Sequence, residues 1–222
     1  MFKQSLIALS LASVASFASA QQTAEYEVTI TNLTRGQTFT PQLVMTHTAG
    51  YRMFRLGDPA SDALEIMAEG GDTAPLIDEA GNDAIDAVTI DGLLGPGETS
   101  STMISGAPGE WISIGAMLIP TNDTFVALQR TRLPESGGIG RLVPAYDAGT
   151  EVNDQNCNNI PGPRCGGEGV SEDGPDAAEG SVHISNGFHS LGDSAEDGGE
   201  LLGPAVYDWR NPVARIRVQR IN

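Results

Sequence analysis

Lysine is almost absent from this sequence. Lys3 is the one example; the 11 other basic residues are arginines, and they face 29 acidic residues, a net of −18 beyond Lys3. A surface so poor in positive charge repels nucleic acid and anionic lipid, both of which are held through basic patches. Cysteine is nearly as scarce. Cys157 and Cys165 stand alone in one polar loop, with no further soft ligands beside them to make a thiolate metal centre. Aromatic residues make up 5% of the chain and include two tryptophans, Trp111 and Trp209. That is thin material for a sugar-cleaving cleft, which lines itself with exposed rings. Trp111 falls in a core-type strand, and Trp209 is expected to pack over the end of the fold. No serine has glycines two residues to either side, as a nucleophile elbow requires. Ser190, the serine nearest a histidine, has Phe188 and Gly192 at those places. Beyond the opening residues no apolar run approaches the roughly 20 residues that a bilayer span needs.

What is present begins with a secretory signal. One positive charge at Lys3, a short apolar stretch from Leu6 to Phe17 and the small-residue exit Ala18-Ser19-Ala20 predict removal of residues 1–20. The remainder, 21–222, is expected to be one domain, exported to the periplasm or the cell exterior. In that setting an even cysteine count predicts a Cys157–Cys165 disulfide.

Apolar residues alternate with polar ones through Tyr26–Leu33, and a second run follows at Leu43–His47 after the Arg35-Gly36-Gln37 turn. Both read as strands. Asp62–Glu69 predicts a helix with Ser61 as its cap and Gly70-Gly71 as its stop, and Thr73–Glu79 a shorter one opened by Pro75. Further strands are predicted at Ile85–Ile90, Glu98–Ile104, Trp111–Pro120, Thr124–Leu128 and Val213–Ile221. In the last, Ile216 and Val218 take the core phase while Arg215 and Arg217 face solvent. Residues 152–205 are rich in Gly, Asp, Glu, Asn and Pro and read as a long acidic excursion, in which only Ser181–Ile184 keeps any periodicity. The expected fold is therefore mainly β: an antiparallel sandwich with one or two short helices and one long loop.

The chemistry centres on Tyr146-Asp147-Ala148-Gly149-Thr150-Glu151, two carboxylates on a glycine turn. Carboxylates held close together repel unless a proton or a cation intervenes. Asp123, in the turn between two predicted strands, is placed to converge on them. A hard cation such as Ca²⁺ takes side-chain and carbonyl oxygens together.

Ile119-Pro120-Thr121-Asn122-Asp123-Thr124-Phe125-Val126, Pro144-Ala145-Tyr146-Asp147-Ala148-Gly149-Thr150-Glu151 and Asn211-Pro212-Val213-Ala214-Arg215-Ile216 together resemble the spondin domain of extracellular matrix proteins. The resemblance spans the chain beyond the signal in the right order, and the Tyr-Asp-Ala-Gly-Thr turn is its specific part. It implies a C2-like β-sandwich that binds Ca²⁺ through Asp123, Asp147 and Glu151, with a protein, glycan or lipid surface partner. Two departures stand out: Glu151 occupies a family aspartate position, and Thr124 stands where the family has Trp. Neighbouring Phe125 then supplies the aromatic.

Other readings compete. His183, His189 and Asp193 are the residue types that bind Zn²⁺ or Cu²⁺, and His47 would complete a three-histidine site. Asp147 and Glu151 suit a small secreted hydrolase. A structural envelope protein with no ligand beyond the ion is the third class. The residues favour a calcium-binding adhesion or binding module over an enzyme.

Overall fold

The computed structural model describes residues 22–167, 169–170, 178–188 and 199–222. The predicted signal segment lies outside them. In chain order the strands are β1 (Ala24–Asn32), β2 (Thr38–Phe39), β3 (Gln42–His47), β4 (Ala84–Ile90), β5 (Thr99–Gly106), β6 (Trp111–Ile119), β7 (Thr124–Arg132), β8 (Gly138–Val143), β9 (Ala145–Asp147), β10 (His183–Ile184) and β11 (Ala214–Arg220). The helices are α1 (Asp62–Gly70), α2 (Ala74–Ala80) and α3 (Pro204–Tyr207).

The strands form two antiparallel sheets. One is ordered β5-β1-β11-β8; the other runs β10-β9-β7-β6-β3-β4, with β2 added onto β6. The period-two pattern explains how they stack. Tyr26, Val28 and Ile30 of β1 and Ile216 and Val218 of β11 turn inward to meet Ile112, Ile114, Ala116 and Leu118 of β6. Each fully buried side chain of this kind stabilises the fold by about 1.5–3 kcal/mol. Arg215 and Arg217 face solvent, as their phase requires.

β3 and β6 are buried on both faces because the outer side of the large sheet has a cover of its own. Leu43 and Met45 of β3 and Phe125 and Ala127 of β7 pack beneath Leu64 and Met67 of α1, Leu76 of α2 and Met53 of the preceding loop. Helix α1 begins where Ser61 Oγ accepts the Leu64 N–H at 3.3 Å. It ends at Gly71, whose φ of +75° closes the last turn through a bond to the Met67 carbonyl.

Three features depart from the sequence expectations. β8 and β9 are strands, so Leu142, Tyr146 and Asp147, read as parts of a turn, are held by ladder pairs. A third helix, α3, caps the end of the excursion. Trp111, assigned to the core, is half-buried at the end of β6, with the Arg130 and Arg132 guanidinium carbons 4.6 and 3.9 Å from its ring centroid, a cation–π arrangement. Trp209 packs as expected: it is buried against Phe188 at a centroid distance of 5.6 Å.

The excursion is anchored at both ends. Cys157 and Cys165 are joined, with an S–S distance of 2.04 Å. The Leu202 N–H donates to the Gln155 carbonyl at 2.9 Å, and the Gln155 N–H donates to Asn122 Oδ1 at 3.2 Å. Among the described residues no helix is long and apolar enough to cross a membrane.

Candidate metal centre

Asp123 follows the Pro120–Asn122 loop between β6 and β7, where Thr121 Oγ1 accepts the Thr124 N–H at 3.2 Å and tightens the reversal. Asp147 ends β9. Its backbone pairs with Thr124 on one side and His183 on the other, so the ladder delivers it beside Asp123. The next residues bend sharply at Gly149, whose φ is +70°. A Cβ there would meet the Ser181 carbonyl oxygen at 2.5 Å, so space as well as backbone conformation demands glycine.

The two aspartates organise this bend. Asp123 Oδ2 accepts the N–H groups of Thr150 at 2.8 Å and Glu151 at 3.2 Å. The Asp123 carbonyl accepts the Ala148 N–H at 3.2 Å. Asp147 Oδ1 accepts the Gly149 N–H at 2.9 Å, an Asx-type turn, and its Oδ2 accepts Asn153 Nδ2 at 2.9 Å. Asp123 Oδ1 is buried and has no hydrogen-bond partner among the described residues. Relative exposures are 0% for Asp123, 2% for Asp147 and 5% for Glu151.

A buried carboxylate with an unpartnered oxygen is costly to ionise. Burial, and then the charge of Asp147, push the Asp123 carboxyl up to about 7. Asp147 is also raised, again by burial first, although Asn153 and His183 oppose the shift. Glu179 acts on both aspartates as a further negative charge and accepts Asn153 Nδ2 at 3.1 Å.

The fold therefore gathers Asp123, Asp147 and the Glu151 backbone at one turn. Glu151 is buried there, and the contact it makes with Asp123 is through its N–H. Among the described residues no three His, Cys, Asp or Glu side chains stand as a ready-made metal cluster. Asn153 and Glu179 are members of the site that sequence reasoning missed. The signal for Glu179 was its place just before Ser181–Ile184, the one periodic tetrad of the excursion, which forms β10 and brings its neighbours to β9.

The three-histidine alternative is overturned. His47 pairs with Trp111 at the start of β6, whereas Asp123 lies beyond its far end, roughly 25 Å away along a nine-residue strand. His47 is wholly buried. Its Nδ1 donates to the Thr48 carbonyl at 2.7 Å, so its Nε2 accepts from Ser113 Oγ at 2.9 Å, and that oxygen accepts the Arg130 N–H at 3.1 Å. These bonds occupy both ring nitrogens of His47. His183 Nδ1 lies 3.8 Å from Asp147 Oδ1 and donates to the Ser181 carbonyl at 3.0 Å. His189 and Asp193 lie outside the described residues.

Two antiparallel sheets with loops gathered around buried acids at one end define the class: an antiparallel β-sandwich. The Spondin_N family matches residues 17–152, and the chain belongs to that family. The matched stretch carries Asp123, Asp147 and Glu151 but stops before both cysteines and before β11, so it is narrower than the resemblance read from the sequence. No curated protein matches the chain. A spondin-type domain and a disulfide are both consistent with export.

Proposed function

We propose that this chain is an exported, non-catalytic binding module whose acidic turn holds one Ca²⁺. Asp123 and Asp147 would supply carboxylate oxygens, with Glu151 of the same turn and nearby backbone carbonyls as further donors. The observation that carries this reading is the buried, unpartnered Oδ1 of Asp123 beside a second buried aspartate. A cation supplies the charge that lets both acids ionise in a dry site. Oxygen donors of mixed kind suit calcium, whereas zinc prefers nitrogen and sulfur.

The ion's role is structural. It would pin the loop before β7 to the turn after β9 and so fix the end of the sandwich that meets a surface partner, whether protein, glycan or lipid. Calorimetric titration with Ca²⁺ tests this on the protein and on Asp147→Asn. Binding heat and a raised melting temperature are expected in the unaltered protein, weakened by at least tenfold in the variant. Absence of both in the unaltered protein means that the acids share a proton instead.

A further inference from the structure

A different part of the surface reverses the overall charge. A cleft of about 640 Å³ opens between the edge strand β8, the middle of β7 and the loop before α1, and Arg52, Arg55 and Arg141 all line it. One acid, Asp58, lines it with them. In a chain with 11 arginines and 29 acidic residues, three cations against one acid is a marked local inversion. None of the three arginines is in an ion pair among the described residues, although acids abound. The Arg52 guanidinium is held below its ordinary value by desolvation first, then by the positive charges of Arg55 and Arg130.

Arg141 is the least expected of them. It pairs directly opposite Ile216, and opposed residues of antiparallel strands share a face. Ile216 lies in the inter-sheet core, so Arg141 holds an inner-face position between Ile139 and Val143. An inward charge on an edge strand deters pairing with another sheet, but that accounts for Arg141 alone. It leaves Arg52 and Arg55, on a separate loop, unexplained.

The rest of the cleft wall is aromatic and apolar. Phe54 and Tyr146 lie 4.8 Å apart, centroid to centroid. The Tyr146 hydroxyl makes no hydrogen bond with any described residue. Leu56 lines it too, at 55% exposure.

We propose that this cleft binds an organic oxyanion: a carboxylate or phosphate gripped by Arg52, Arg55 and Arg141, on a flat or apolar body that lies against Tyr146 and Leu56. Arginine forks match planar and tetrahedral oxyanions in geometry as well as charge. The surrounding acidic surface would repel anions that lack this fit, so selectivity comes with the charge distribution. The proposal is independent of Ca²⁺ at the acidic turn.

The test is titration of the full chain with phenyl phosphate, benzoate, inorganic phosphate and neutral benzyl alcohol, followed by calorimetry and by amide NMR shifts. Phenyl phosphate or benzoate is expected to bind and to move the amides of 52–56 and 141–146; the stronger of the two identifies the headgroup. The double variant Arg55→Gln/Arg141→Gln is expected to weaken that binding by about tenfold or more. Arg215→Gln, which removes an equal charge from the outer face of β11, should change it by less than about twofold. Arg55, Arg141 and Arg215 are all exposed, so melting temperatures should stay level and report that the variants fold. Three results overturn the proposal: no shift in the cleft with either organic anion, equal losses in the double variant and in Arg215→Gln, or binding of benzyl alcohol as tight as that of the anions. Inorganic phosphate binding as tightly as phenyl phosphate removes the apolar wall from it.

Discussion

Asp123 concentrates the residue-scale chemistry. Its folded-state carboxyl is raised to about 7, above the ordinary value of about 3.9 for an unfolded aspartate. The folded protein therefore holds the proton more tightly, and that contribution to stability is present in full only below the unfolded value. It is lost as pH rises through the folded one. In chelator-containing buffer the melting temperature should fall between pH 5 and pH 8. Asp123→Asn should remove much of that fall, and added Ca²⁺ should flatten it in the unaltered protein. Thermal scans at several pH values decide the matter. Gly149 makes a second residue-scale prediction. With φ at +70° and Ser181 backbone atoms where a Cβ would stand, Gly149→Ala should cost about 1–3 kcal/mol and perturb β10, measurable by denaturant unfolding and by amide shifts of residues 181–184.

Among elements, the helical cover over the large sheet is where packing matters most. Leu64 of α1 is fully buried against the large sheet, and Leu64→Ala should cost about 2–5 kcal/mol in denaturant unfolding. Leu142→Ala, on the exposed edge strand, should cost less than about 0.5 kcal/mol. The same residue type thus separates a core position from a rim position. The Cys157–Cys165 bridge spans a sequence separation of only 8. The chain-entropy relation gives about 2.5 kcal/mol for so short a loop. Replacing both cysteines with serine should leave the far-ultraviolet spectrum intact and lower stability by no more than that.

For the molecule as a whole, the charge excess sets the response to salt. A net of −18 beyond Lys3 repels itself in the compact state, and ions screen that repulsion within roughly 3 Å at 1 M. The melting temperature should rise as sodium chloride is raised from about 0.05 M to 1 M. A fall would mean that the few arginine contacts outweigh acidic repulsion. The same excess makes the arginine-lined cleft conspicuous: charges scattered through the sequence at positions 52, 55 and 141 become one patch only when β8 meets the loop before α1.

Much of the architecture was legible from local pattern. The period of two in β1 and β11 named the buried faces, as Ile216 and Val218 show, and Ser61 with Gly70-Gly71 marked both ends of α1. These are short-range signals, set by side chains on neighbouring residues. The acid pair on a glycine turn was visible for the same reason, and so was the disulfide loop. β8 and β9 were not legible, because Gly138–Val143 carries little apolar periodicity and becomes a strand only by pairing with β11. Nor did the sequence announce that Asp123 would spend one oxygen on the Thr150 and Glu151 N–H groups and leave the other unpartnered, or that Asn153 and Glu179 would join it. Most of those facts depend on groups 26 to 28 residues apart in the chain being brought to one end of a sandwich, and only sheet register and burial decide which of their atoms meet.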